Sequence, residues 1–387
     1  MKIGAGGLLA YVLLSPTLTT LQTTVVSVQT TGEFRAAVSS ARSGTTITVA
    51  PGIYQGGSYH VNVAGTAAAP IVIRGSDREN PPVFRGGDNG IQLSDAQHVT
   101  FEDLVFEAAT LTGISIDDAG TFDTPSHHIT FTRVVVRDLP DGMVDGIKLA
   151  GVTDFLIAAS RIERWSGAAI NMVGCHRGLI RGNAFTNVAG RGGTGLSMKG
   201  GSSQIAVTDN RFDHGGARAV QIGGTTSLTL FRPQPHERAE ASRITVERNV
   251  IVGSETPVTF VGSDGGVFRF NTVYSPSAYL LRILQENREA GMVPSQNGVI
   301  TDNIFAWRGD VALNIGAATN AASFTFARNL WYRGDAPAGS QVALPSPEVG
   351  GVYGFDPHFS APPADLRTPA SVTQGAYGSA PASTLTR

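Results

Sequence analysis

The 387-residue chain has the pattern of an all-β solenoid: a single-stranded, right-handed parallel β-helix with an N-terminal cap and an irregular C-terminal tail. From about residue 83 a unit recurs. A run of small, apolar, polar and apolar residues ("NGIQLS", "TGISID", "DGIKLA", "AAINMV", "TGLSMK", "RAVQIG") precedes a turn and a second β-prone run ("HVTFEDLVF", "HITFTRVVV", "QIAVTDNRF", "RITVERNVI"). Asn183, Asn210, Asn249, Asn271, Asn303 and Asn329 hold one place in successive second runs, with gaps of about 22 to 39 residues that lengthen where loops are inserted. Such units cannot bury an apolar face alone and must stack. Stacked asparagines hydrogen-bond their equivalents above and below and tolerate a left-handed turn conformation. Two or three strands per unit fit a solenoid and not the four of a propeller blade.

Taken in order, the chain opens with Lys2 and an apolar run to about Leu14, followed by a polar stretch with a small-residue site at Val25-Val26-Ser27. This is the order of a secretory signal peptide over residues 1–27, too short to span a bilayer, and it predicts a secreted or periplasmic protein. Phe34 to Ala41 reads as one short amphipathic helix, and "TTITVAPGIY" as a strand and turn; residues 33–60 would cap the first rung. The solenoid is expected over residues 28–345. The tail, 346–387, is rich in Pro, Ala, Ser and Thr and would run back along the outside without forming rungs.

Net charge is −2 and charged residues are 16%, so nothing points to nucleic acid or an anionic membrane as partner, and a monomer is expected. The single cysteine, Cys175, excludes an internal disulfide and a cysteine zinc cluster, and reads as a small buried hydrophobe. Trp165, Trp307 and Trp331 lie near strand ends, where they would pack or offer sugar-stacking platforms.

Alternation puts one set of side chains of each first run outward. One outward row is Gln92, Ser115, Lys148, Asn171, Ser197, Gln221, Thr259, Arg282 and Asn314; the next is Ser94, Asp117, Ala150, Val173, Lys199 and Gly223. With rungs about 4.8 Å apart, Lys148, Asn171, Lys199, Gln221 and Arg282 share a polar, mostly cationic strip. Arg218 opens the rung after Lys199, with His214 in the turn before it. The long loop Leu230–Ser242 carries Arg232, His236 and Glu237, and Glu286 is a partner for Arg282. Such a strip suits an anionic polysaccharide or oligosaccharide containing uronic acid. Cleaving it by β-elimination requires neutralising the carboxylate, a base for the adjacent proton and an acid for the leaving oxygen. Lys199 is the expected base, with His214 as an alternative acid or base. Arg218, Gln221 and Arg282 would hold the carboxylate, while Lys148, Asn171, Arg232 and Asp145 would extend the binding strip.

These residues resemble the site of β-helix polysaccharide lyases of the alginate lyase and chondroitinase B family, within the pectate-lyase-like superfamily whose opening rung "GTTITVAPGIYQGG" resembles. That family carries a lysine in an S-x-K-S strand and an arginine in an R-H-G strand one rung later. Here "LSMKGGS" puts Lys199 at the base position, whereas "VQIGG" puts Gln221 where the arginine is expected, with Arg218 the nearest substitute. Calcium is the cofactor the resemblance implies, yet "GGTG" before the lysine offers no acid. The outline "VDGIKLAGVTDFLIAASRIERWSGAAINM" is also similar to the β-helix polygalacturonases, but Lys148 stands where their second aspartate would be and "WSG" where the aspartate pair would be. The alternatives are a hydrolase using Asp117, Asp141 or Asp145, a uronan C5-epimerase, and a non-catalytic glycan-binding protein.

Overall fold

The computed structural model describes residues 23–234 and 238–377. Strands stack in parallel into a first sheet of ten, a second of fifteen and a third of twelve. One rung visits each sheet in turn: Asp145–Ala150 in the first, Val152–Ala158 in the second, Arg161–Glu163 in the third, and then Ala168–Val173 begins the next. Inward positions are filled by Ile, Leu, Val and Phe, all fully buried. Phenylalanines stack along the axis, Phe101 on Phe131 at 5.1 Å and Phe185 on Phe212 at 4.6 Å. The first outward row is in register throughout, from Gln92 and Ser115 through Lys148, Asn171, Ser197, Gln221, Thr259 and Arg282 to Asn314.

Each second run is not one strand but two, bent between the second and third sheets. The bend is made by a left-handed residue: Asp103, Arg133, Ala159, Gly182, Asp209, Arg248, Phe270, Asp302 and Arg328 all have φ between 49° and 62°. Each of the last six immediately precedes a ladder asparagine, so the asparagine itself is not the left-handed residue, contrary to the expectation. Its neighbour takes the strain, and the asparagine side chain turns inward. There it is satisfied on both sides. Asn183 Nδ2 donates to Asn210 Oδ1 (2.9 Å), Asn210 to Asn249 (2.9 Å), Asn249 to Asn271 (3.0 Å), Asn271 to Asn303 (3.1 Å) and Asn303 to Asn329 (2.9 Å). Asn329 Nδ2 ends the series on Glu348 Oε1 at 2.8 Å. At the other end Asn183 Oδ1 accepts from the Ser160 N–H at 2.9 Å.

The helix runs Thr31–Ser40, longer at its start than expected because Thr30 and Glu33 form a capping box. Phe34, Ala37 and Val38 cover the open end of the core. Thr24–Val28 is a strand paired with Thr45–Val49, so the solenoid begins before residue 28 and the expected leader boundary falls inside a strand. The apolar run to Leu14 lies outside the described residues. At the other end the tail does form rungs at first: Glu348–Val349 and Val352–Tyr353 pair with the strands before them. It then runs back along the outside as expected. Leu366 is buried with Val250 and Val252, Val372 with Ile304 and Leu330, and the Gly375 N–H donates to Asp302 O (2.9 Å).

Truncating a ladder amide leaves buried partners unpaired, at about 1–3 kcal/mol for each such group. Asn210→Ala is expected to lower the urea midpoint of tryptophan fluorescence by an amount worth about 2–4 kcal/mol. An unchanged midpoint would show that the ladder contributes nothing.

Candidate functional site

The chain has three lysines, Lys2, Lys148 and Lys199, and the other basic residues among its 29 Lys and Arg are arginines. Lys148 and Lys199 both stand on the outward face of the first sheet. No hydrogen bond or ion pair engages either ammonium among the described residues. Beside Lys199 lies Gln221: a Cβ at Gly224 would stand 3.0 Å from Lys199 Cδ and 3.2 Å from Gln221 Nε2, so the bare glycine makes room for both. Gln221 Nε2 donates to Gly223 O (3.1 Å), and its Oε1 accepts from Arg218 Nη1. Arg218 Nη2 donates to Glu286 Oε1 at 2.9 Å. Lys199, Gln221, Arg218 and Glu286 thus form a line drawn from three coils: the strands Thr194–Lys199 and Arg218–Gly223 and the segment after Tyr279–Leu284.

Glu240 supports this end of the strand. It is fully buried, and its carboxylate accepts from the N–H groups of Gly200 (2.9 Å) and Thr226 (2.7 Å) and from Asn287 Nδ2 (2.7 Å). The loop that follows Gly223 is thereby fastened to the turn directly after Lys199. The sequence reading missed this group; an acid isolated among alanines in "RAEAS" was its only signal.

The remaining expected residues separate. Asn171 donates from Nδ2 to Asp145 Oδ2 (2.8 Å), and Asp145 Oδ1 accepts from the Ala168 N–H (2.8 Å). Asn171 Oδ1 and Thr259 Oγ1, both on the first outward row, are buried with no hydrogen-bond partner among the described residues. Arg282 lies 4.9 Å over the Tyr279 ring and donates to Asn314 Oδ1 (3.1 Å); Glu286 pairs with Arg218 and not with Arg282. Arg232 is turned away from the strip. It donates from Nε to the buried Asp118 (2.8 Å) and from Nη2 to Gly120 O (3.2 Å), fastening its loop across the turns. His236 and Glu237 lie outside the described residues. His214 lines a cavity of about 440 Å³ with Arg191, Glu255 and Tyr274, and its Nδ1 lies 3.0 Å from Asp213. It precedes Arg218, whose register partner is Thr194, and Lys199 lies five positions further along that strand. That is about 16 Å at roughly 3.3 Å per residue, too far for His214 and Lys199 to act on one sugar.

The family described as "Right handed beta helix region" matches residues 145–240. That stretch contains the rungs of Lys148, Lys199 and Gln221. The fold is the right-handed parallel β-helix. No curated protein sequence matches this chain significantly. Among solved β-helix structures, an alginate lyase from Paenibacillus sp. str. FPU-7 superimposes with TM-score 0.50 and 18% identity over 77% of this chain and 99% of its own. The native GH136 lacto-N-biosidase from Eubacterium ramulus gives TM-score 0.51 and 11% identity over 84% of this chain and 62% of its own. A rhamnogalacturonan lyase gives TM-score 0.50 and 11% identity over 82% and 83%.

Register within this β-helix separates two of the aspartates named above. Asp117 pairs with Ala150, whereas Asp145 pairs with Thr112, at the other end of the same strand pair. The separation of about 16 Å along the strand exceeds the roughly 5–9.5 Å that a hydrolytic carboxylate pair needs. Asp141 is exposed and paired with Arg191 at 3.1 Å. Calcium, which takes six to eight oxygens, does not fit either, because the nearby carboxylates are taken, Glu286 by Arg218 and Glu240 by three donors. Cys175 is fully buried and its thiol is pushed up to about 12 by burial, so it is the packing residue expected. The three tryptophans are buried as well, and none is a sugar platform.

His176 shows how burial makes such a fold sensitive to acid. Its Nδ1 lies 2.8 Å from Ser203 Oγ and its Nε2 lies 2.7 Å from Arg232 O. Burial is the largest influence and holds it below the ordinary value of 6.5; Arg177 and Arg243 act the same way, and the Arg232 carbonyl opposes them. The unfolded chain then binds a proton that the folded one refuses. This contribution is complete above pH 6.5 and is lost as pH falls through the lowered folded value. Urea midpoints measured across that window are expected to fall with acidification, and His176→Gln to make the slope shallower. An identical slope in the variant would contradict this.

Proposed function

We propose that the chain is an exported polysaccharide lyase that cleaves a uronate-containing polysaccharide by β-elimination. The observation that carries this is Lys199, unpaired among the described residues, beside Gln221, whose amide oxygen accepts from the Arg218 side chain reaching along the strand. Arginine stays protonated in proteins, so lysine is the basic residue able to take a proton. Both lysines beyond the leader segment lie on this one face, while arginines supply the ion pairs elsewhere. From Lys148 to Arg282 the row spans five rung steps, about 24 Å at roughly 4.8 Å each, room for several sugars of an extended chain. The Lys2–Leu14 run supports export.

In this reading the substrate carboxylate lies against Gln221 and Arg218, whose donors hold the charge that grows as the adjacent carbon loses its proton. Lys199 Nζ takes the C5 proton. The electron pair left on C5 forms the C4–C5 double bond, the C4–O bond breaks, and the ammonium returns that proton to the leaving oxygen on the same face. Atoms and electrons balance with no oxidant or metal. Glu286 keeps Arg218 extended toward Gln221.

The test is ultraviolet absorbance during incubation with alginate, pectate, glucuronan, chondroitin, hyaluronan and ulvan. An unsaturated uronate is expected to appear on one of them, with Lys199→Ala lowering the rate by about 10²–10⁴-fold. Arg218→Gln is expected to cost about 10²–10³-fold in kcat. Reducing ends released from a neutral glycan without absorbance would replace lyase by hydrolase. An unchanged chain length with inverted C5 centres would replace it by epimerase.

A further inference from the structure

On a different sheet, and away from the lysine strip, three histidines converge. His98 lies in the second-sheet strand Gln97–Glu102, and His127 and His128 in the next, Ser126–Thr132. Adjacent residues of a strand ordinarily face opposite sides. Here His98 and His128 take left-handed backbone (φ 49° and 55°), which bends each strand and brings the two neighbours His127 and His128 to one side. The same bend recurs on later rungs at Asp154, Arg177, Gln204 and Arg243, so it belongs to the fold, and imidazoles occupy it on two consecutive rungs. The His98 and His128 rings stack at 4.3 Å, His98 and His127 meet edge to face at 5.2 Å, and the Nδ1 atoms of His127 and His128 are 2.8 Å apart.

We propose that His98, His127 and His128 form a binding site for one divalent transition-metal ion of the zinc class. One nitrogen from each ring lies within 4.8 Å of the other two. Bonds of about 2.0–2.1 Å to a tetrahedral ion set nitrogens about 3.4 Å apart, within that envelope. Three neutral nitrogens suit zinc, copper or nickel and not calcium or magnesium, which take oxygen. Among the described residues no hydrogen bond or ion pair joins a carboxylate to the three imidazoles, and Asp154 is held by Arg177 through two hydrogen bonds of 2.7 Å. His98 and His127 are half-buried and His128 is exposed, so an ion enters from solvent and water completes its shell. The site lies three rungs from Lys199 along the axis and is independent of the lyase proposal.

The experiment is titration of the untagged chain with Zn²⁺ by calorimetry, repeated in competition with a chromogenic chelator. Saturation at one ion per chain is expected. His98→Ala and His128→Ala should each weaken binding by at least about tenfold, the lower end of what even indirect supports of a metal cost. The triple alanine variant should show no such site. Circular dichroism and the urea midpoint check that the variants stay folded, which the surface position of the cluster favours. Absence of saturable binding, or equal binding by the folded triple variant, overturns the proposal.

Discussion

The buried asparagine ladder is the constraint on which the rest of this solenoid depends. Parallel strands of three residues in the third sheet hold little surface of their own and would slide by a rung position without much loss. The asparagines prevent this. Each one donates to the amide oxygen of the next rung and accepts from the rung before, so it fits at one height only. The chain of amides is directional: its final donor needs a group that only accepts, and Glu348 supplies a carboxylate there. Fixed heights in the third sheet become fixed heights in the first, where they align Lys148, Asn171, Ser197 and Gln221 into one row.

Charge is arranged differently on the two sorts of surface. At the bends, arginine and aspartate of successive rungs pair in two-bond forks, as in Arg133 with Asp103 and Arg328 with Asp302. Such pairs saturate both partners and leave little for a ligand to engage. On the first sheet the pairing is incomplete: Arg218 is tied to Glu286 and Gln221, while Lys199 beside them has no counter-ion. An anion arriving there would complete a network that the protein leaves one negative charge short.

Much of this was legible in the sequence. The outward row was readable residue by residue because strand alternation has a period of two, and a repeated unit aligns that period across rungs. The ladder was readable from its spacing. Position along a strand was harder to turn into proximity. His214 and Asp117 looked near their intended partners in sequence, yet they sit at opposite ends of strands that alternation treats as equivalent. Arg232 was misplaced for another reason: its loop crosses a turn and reaches Asp118, 114 residues earlier, a contact that no local pattern encodes. The left-handed residue before each asparagine was hidden as well, because Gly, Asp, Arg and Phe all occupy it and the geometry of stacking, not residue type, selects the conformation.

The returning tail changes how such a tower bears load. A plain stack of rungs frays from its last coil, since each coil touches only its neighbours. Here the last described residues lie against Val250, Thr272 and Ile304, well down the stack, and Arg211 reaches Pro363 at 3.1 Å. Tension on the C-terminus is therefore delivered first to the middle of the tower. The terminal coils are shielded until this strap peels away, which makes it a guard against proteases and against shear.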